Sequence, residues 1–392
     1  MVGFVRVAVV AGPDPGHSFP AMALCLRFLA AGDRPTLFTG PTWLEPARAA
    51  GIDAIELAGL SATDDDVDAG SRIHGRAAAM ALDNLEALRE LSPDLVVSDV
   101  ITACGGMAAE LLGIPWVELS PHPLYLPSTG LPPIGSGLAP GVGIKGRLRD
   151  TVMRALTARS LRAGIKQRAT ARLGIGLPAV EPGPVRRLIA TLPALEVARP
   201  DWPEGAVVVG PLHFEPTDQV LEIPPGVGPV VVVAPSTAAT GTGGLVDLVL
   251  EHLIPGDSLP VGARLVVSQL GGVDREVPPW AVVGLGRQDD LLAQADLVIC
   301  GGGHGMVAKT LLAGVPLVVV PGGGDQWEMA NRVVRQGSAE LIRPLNVETL
   351  VAAVSQVLAS PRYRAAAHRA GRGVSHVDDP VRVCHEVLGA TP

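Results

Sequence analysis

Leu297-Val298-Ile299-Cys300-Gly301-Gly302-Gly303-His304-Gly305-Met306 decides how the chain folds. An apolar run enters four glycines within five positions, and helix-forming residues follow. A buried strand that passes through a glycine turn into a helix is half of a βαβ unit. The first N–H groups of a helix have no intrahelical partner and lie at the positive end of its dipole, so such a turn suits phosphate. A glycine turn with no ligand is the plainer alternative, but four glycines exceed what a turn needs. The stretch continues through Gly314-Val315-Pro316, a second apolar run at 317–320, and Pro321-Gly322-Gly323-Gly324-Asp325-Gln326. Asp325 and Gln326 bring acceptors and a donor that suit sugar hydroxyls.

Outward from this stretch the same rhythm recurs. Apolar runs at 230–234, 264–268 and 281–284 read as strands of one α/β half, with helices over 347–358, 362–371 and 379–388. Runs at 5–10, 35–39, 54–56, 94–98 and 116–119 read as strands of another. Helices are expected over 20–31, 43–50, 77–91, 104–112 and 145–173. Alternation of this kind implies parallel sheets covered on both faces. Residues 120–146 are a long Pro-, Gly- and Ser-rich loop, and five prolines at 210–229 read as an interdomain linker. Two such halves face each other across a cleft, and ligands of open α/β sheets bind outside the carboxyl ends of the strands.

Composition narrows the function. At ~100–200 residues per domain, 392 residues suggest two or three domains. With 47% hydrophobic residues but only 5 Phe, 5 Trp and 2 Tyr, the cores must be aliphatic. The balance of 31 basic against 39 acidic residues, net −8, argues against nucleic-acid binding by phosphate neutralisation. It gives no support to a cationic membrane anchor, leaving room only for a local basic patch. Cys25, Cys104, Cys300 and Cys384 show no metal-site spacing and read as buried thiols in a reducing compartment. No signal peptide and no membrane span of ~20 apolar residues is read, so a soluble cytoplasmic protein is expected. Three Lys against 28 Arg suggest a GC-rich bacterial genome.

Two further residues carry chemistry. Gly12-Pro13-Asp14-Pro15-Gly16-His17-Ser18-Phe19-Pro20 follows the first strand and opens the first helix, with Pro20 read at its first turn. His17 then sits at the carboxyl edge of the sheet, where an imidazole serves as a general base near neutral pH. Asp99 ends the strand at 94–98 and can reach His17 to orient and stabilise its ring. A loop histidine and a helix-capping aspartate are the plainer alternatives. Gly284-Leu285-Gly286 lacks the third glycine of a dinucleotide fingerprint. Ala308 before Lys309 spoils a P-loop. The acidic run at 64–68 lacks calcium-loop spacing, and Gly241-Thr242-Gly243-Gly244 is a candidate second ligand loop.

Taken together, these segments resemble GT-B glycosyltransferases, and within them the bacterial antibiotic (macrolide-type) branch of the UDP-glycosyltransferase-like superfamily. Gly16-His17-x-x-Pro20 resembles the acceptor-domain motif. Leu124-Tyr125-Leu126-Pro127-Ser128 and the segment at 135–141 resemble the acceptor-side loop. Gly210-Pro211-Leu212, the segment at 288–298, Gly314-Val315-Pro316 and Asp325-Gln326 complete the likeness. The resemblance implies an acceptor-binding domain at 1–212, a linker at 213–229, a donor-binding domain at 230–372, and a C-terminal helix at 373–392 packing back on the first domain.

It further implies inverting, metal-independent transfer of a hexosyl group from a nucleotide-diphosphate sugar to a hydrophobic small-molecule acceptor. His17 would be the base and Asp99 its partner. Gly302, Gly303, His304, Gly305 and Met306 would hold the diphosphate, Asp325 and Gln326 the sugar, and Ser236 and Gln288 the nucleotide. The nucleotide sugar is a co-substrate, and neither a cofactor nor a metal is expected. A homodimer stays open. Aligned back from Gly314, the family's phosphate-binding His falls on Gly301, its Thr on Met306, its helical Glu on Lys309 and a later Asn on Met329. His304 is read as a substitute contact for the missing His. A degenerate member that binds without catalysis, or a sugar-nucleotide epimerase of the same architecture, are the alternatives.

Overall fold

The computed structural model describes residues 4–61, 71–236, 241–269, 271 and 276–389, so the acidic run at 64–68 lies outside the described residues. The first half holds β1 (Arg6–Val10), α1 (Pro15–Ala30), β2 (Arg34–Thr39), α2 (Leu44–Ala49), β3 (Asp53–Glu56), α3 (Arg76–Asp83), α4 (Leu85–Leu91) and β4 (Leu95–Asp99). It continues with α5 (Cys104–Leu112), β5 (Trp116–Ser120), α6 (Gly143–Gly174), β6 (Arg186–Ile189) and β7 (Ala206–Val208). The second half opens with β8 (Val230–Ala234), α7 (Leu245–His252), β9 (Arg264–Ser268), β10 (Ala281–Gly284), α8 (Gln288–Leu292), β11 (Leu297–Cys300) and α9 (His304–Leu312). β12 (Leu317–Val319), α10 (Gln326–Gln336), β13 (Ala339–Leu341), α11 (Val347–Ala359), α12 (Pro361–Arg372) and α13 (Pro380–Gly389) complete it.

The strand order is β3-β2-β1-β4-β5-β6-β7 in one sheet and β10-β9-β8-β11-β12-β13 in the other. The pairs across each centre, β1 with β4 and β8 with β11, are parallel. Alternate residues explain why the strands read as unbroken apolar runs. Val7 and Val9 enter one hydrophobic cluster while Ala8 and Val10 enter the cluster on the opposite face. Val232 and Val233 divide in the same way between the two clusters of the second half. Strand order reverses between β1 and β4 and between β8 and β11, so the loops there diverge and open a crevice at the carboxyl edge of each sheet.

The sequence reading departs from the structure at several elements. α1 begins at Pro15, not Pro20; Pro15 takes the first position, where a missing N–H costs nothing, and Pro20 lies inside the helix. The single helix expected at 77–91 is α3 and α4, broken at Asn84, whose side chain bonds the Met80 and Ala58 carbonyls. β6, β7 and β13 carried no strand signal: β6 opens on Arg186-Arg187, β7 and β13 have three residues each, and β13 centres on Glu340. Arg187 survives there because its Nε donates to Glu118 on β5 at 3.0 Å.

The segment after β7 is packed rather than loose: Phe214 is buried with the first half, while Leu221 and Ile223 pack on the second. α13 returns to the first half, where Val381, Val383, Cys384 and Val387 join the core under α1. All four cysteines are buried free thiols. Among the described residues no helix is long and apolar enough to cross a membrane.

One buried ion pair anchors the mostly exposed α6. Arg172 is fully buried and donates to both Glu110 carboxylate oxygens, at 3.1 and 2.6 Å, and to the Pro178 carbonyl at 2.8 Å. Arg172→Ala strands the Glu110 charge, so urea unfolding is expected to show a loss of about 3–5 kcal/mol. The double change Arg172→Met with Glu110→Leu should recover most of it.

Candidate active site

The loop after β1 and the end of β4 meet because the two strands are adjacent, with Val10 paired to Ser98. His17, in the first turn of α1, places Nδ1 2.7 Å from Asp99 Oδ1. The carboxylate accepts, so Nδ1 carries the proton and Nε2 the lone pair. Asp99 is buried, and its other oxygen accepts from the Ile101 amide (3.2 Å), the Thr102 amide (3.2 Å) and the Thr102 hydroxyl (3.0 Å). The same Thr102 oxygen accepts from the Gly12 amide at 2.8 Å, tying the histidine loop to the aspartate loop. A Cβ at Gly12 would stand 3.1 Å from that oxygen. Burial pulls the His17 pKa down, but the charge and hydrogen bond of Asp99 outweigh it and raise the pKa above 6.5.

The facing wall is the glycine turn between β11 and α9. Gly302 has φ +81°, and a side chain there would strike Val319. Gly301 lies so close to Ser236, past the end of β8, that a Cβ would stand 2.8 Å from its Cβ. At Gly303 and Gly305 a Cβ would meet nothing within 4 Å, so the start of α9 opens on free space. The amides of this first turn, through Met306, lie at the positive end of the helix dipole, a place that suits an anion. Asp325, exposed at the start of α10, completes the wall. Its charge acts on His17, His122 and Tyr125, so the two walls share one cleft.

Several residues singled out in the sequence are engaged differently from the reading. His304 is buried, with Nε2 2.8 Å from the Thr191 hydroxyl and a hydrogen bond to the Pro121 carbonyl. Burial holds its pKa well below 6.5. Its imidazole is thus a neutral contact between the halves rather than a substitute phosphate ligand, and only its backbone faces the turn. Gln326 is buried as well: Nε2 donates to Ser236 Oγ at 2.8 Å, and Oε1 accepts from the Gly322 amide at 3.0 Å. It braces the two loops, which leaves Asp325 as the exposed group. Gln288 Oε1 accepts from Lys309 Nζ at 3.2 Å, and Lys309 also pairs with Glu215 at 2.5 Å.

Thr102 and His122 had no motif to mark them, and Tyr125 was marked only within the acceptor-side loop segment. Thr102 sets the Asp99 carboxylate, as described. His122, after β5, lies edge-on to His17 with ring centroids 6.2 Å apart, and Tyr125 stacks on His122 at 4.4 Å. His122 Nδ1 donates to the Pro123 carbonyl at 2.8 Å, and burial lowers its pKa. Adjacent imidazoles are therefore pushed in opposite directions. The loop carrying them is clasped by α10: Glu328 accepts from the Gly137 amide at 2.9 Å, and Arg335 donates to the Gly137 carbonyl at 2.6 Å. Gly137 has φ +70°, and a Cβ there would stand 2.4 Å from Trp327 Nε1. Among the described residues no cluster of His, Cys, Asp or Glu is placed to hold a metal ion.

Comparison with known proteins agrees with this architecture. Residues 287–379 match the glycosyltransferase family 28 C-terminal domain. Over 93% of its length the chain is 29% identical to the 4'-demethylrebeccamycin synthase of Lentzea aerocolonigenes, covering 94% of that protein. The solved glycosyltransferase of kitacinnamycin superposes with a TM-score of 0.77 over 100% of both chains at 22% identity. A Streptomyces sp. SF2575 glycosyltransferase complexed with thymidine diphosphate superposes with a TM-score of 0.68 at 18% identity, over 98% of this chain and 100% of that one. The fold is GT-B, as the sequence resemblance implied.

Asp99→Asn removes the charge that opposes burial. The His17 pKa, followed by NMR titration, is expected to fall from above 6.5 to below it. The stabilisation from the raised pKa is present below pH 6.5 and fades as pH rises through the folded value. Asp99→Asn should flatten that part of the stability profile.

Proposed function

We infer that this chain, a GT-B glycosyltransferase whose second half carries a family 28 C-terminal domain, moves a hexosyl group from a nucleotide-diphosphate sugar to a hydroxyl of a hydrophobic small molecule. The observation that carries the reading is a buried-carboxylate-bound imidazole facing an open helix N-terminus across one cleft. His17 Nε2 takes the proton of the acceptor hydroxyl as its oxygen bonds the anomeric carbon. The bond from that carbon to the diphosphate oxygen breaks on the opposite face, which inverts the centre. Asp99 stabilises the imidazolium that forms. The diphosphate leaves into the amides from Gly302 to Met306, whose dipole meets the growing negative charge. Asp325 holds the sugar, and Ser236 and Gln326 keep the loop beneath it in place.

An apolar acceptor is supported by Ile101, which is 55% exposed two residues beyond Asp99, and by Ile134, 39% exposed in the long loop. Relatives named for rebeccamycin and kitacinnamycin point the same way. The domain limits proposed are 1–212 and 230–372, joined by 213–229, with 373–392 folded back on the first, and the site of action is the cytoplasm.

His17→Ala is expected to cut turnover by about 10²–10⁴-fold, the usual share of a general base. Calorimetry should show thymidine or uridine diphosphate still bound. Unchanged turnover in that variant removes the base assignment. Because the free imidazole is the working form, kcat/KM should rise with pH through a value above 6.5 and level off. In Asp99→Asn the rising limb should move to lower pH while the plateau drops.

A further inference from the structure

The Tyr125 hydroxyl is buried and has no hydrogen-bond partner among the described residues. Native structures rarely leave such a group empty-handed, and a ligand is one source of the missing partner. The ring cannot swing to find another. His122 stacks on it at 4.4 Å, and the Arg332 guanidinium lies 5.5 Å from its centroid. Arg332 is itself fixed by Glu328 at 3.1 Å and by the Leu195 carbonyl at 2.9 Å. The Glu328 oxygens are taken by Arg332 and by the Gly137 amide, so they are already engaged.

Burial, and after it the Asp325 carboxylate, push the phenol pKa up, so the hydroxyl keeps its proton and acts as a donor. Asp325 is acceptor-only, exposed, and makes no side-chain bond to cap its own helix. Its charge acts on His17 as well. The Tyr125 donor, held through His122 beside His17, and the exposed Asp325 acceptor therefore lie in the neighbourhood of the base. The group that satisfies both at once is an alcohol.

We propose that Tyr125 is a specificity-determining residue for the transferred sugar: one hydroxyl of the hexosyl group accepts from Tyr125 Oη and donates to the Asp325 carboxylate. This rests on the transfer reading above and adds to it the selection of a sugar hydroxylated at one defined position. Neither residue moves a proton in the reaction; both orient the ring so that its anomeric carbon faces the oxygen activated by His17.

The test is calorimetric titration of wild type and Tyr125→Phe with thymidine and uridine diphosphates, the corresponding nucleotide glucoses, and their singly deoxygenated analogues. Tyr125→Phe is expected to bind the diphosphates as before and the preferred nucleotide sugar about 3- to 10-fold more weakly, the range of one neutral hydrogen bond. One deoxy analogue should bind wild type equally weakly and lose nothing further in the variant. Because the change deletes an unsatisfied buried hydroxyl, the thermal midpoint should hold or rise. Equal affinity of both proteins for every nucleotide sugar overturns the assignment, and so does parallel weakening of the bare diphosphates, which marks a merely structural role. If wild type binds diphosphates but no nucleotide sugar, the transfer reading itself fails and takes this inference with it.

Discussion

The 2.7 Å contact between His17 Nδ1 and Asp99 is the constraint on which the site depends. Buried without a carboxylate, an imidazole loses basicity; beside one, it gains basicity and a fixed tautomer. The contact exists only because β1 and β4 are adjacent and in register, which brings two segments 82 residues apart to the same sheet edge. Thr102 then closes a ring of bonds, donating to Asp99 and accepting from Gly12. Loop positions that would otherwise be free are set by the core strands beneath them.

The proposed base on one half works only if the other half stands opposite it. α10 supplies that relation. Its first residue boundary carries Asp325, and its next turns hold the first half through Glu328, Arg332 and Arg335. His304, at the start of α9, reaches Thr191 from the same side. The elements proposed to border the nucleotide sugar are thus the ones that grip the first half. The loop carrying Tyr125 is held directly on α10, because Gly137 sits against Trp327 and Asn331 too closely for a side chain to intervene.

Much of this was legible in the residue string, for a definite reason. Doubly wound sheets gather strand ends, so a His after β1 and an Asp ending β4 are near one another whatever lies between them. The glycine turn was legible because helix-start chemistry is local. Gln326 and His304 were misjudged because exposure is not local: both look like ligand groups in sequence, yet Ser236 and Thr191, 90 and 113 residues away, take up their side chains. His122 stayed silent, and Tyr125 was legible only as part of a loop likeness, because residues 120–142 have no periodicity and their position comes from contacts with α10. β6 and β7 were missed because an arginine pair and a three-residue length erase the apolar signature.

Lys309 bears on whether the departures from the family pattern mean decay. It stands where the resemblance places an acid, and it is 8% exposed on α9. A buried ammonium is costly unless paired, and a change of sign at such a position is tolerated only with an answering charge. Glu215 provides it at 2.5 Å and also accepts the first amide of α8 at 3.0 Å, while Gln288 takes a further Lys309 proton. The Glu215 carboxylate comes from the segment joining the halves, so the exchanged charge fastens that segment to the helix proposed to hold the diphosphate. The altered residues behind the turn read as a rebuilt support for the proposed amide cradle, and the His17–Asp99 pair proposed for catalysis keeps its contact at 2.7 Å.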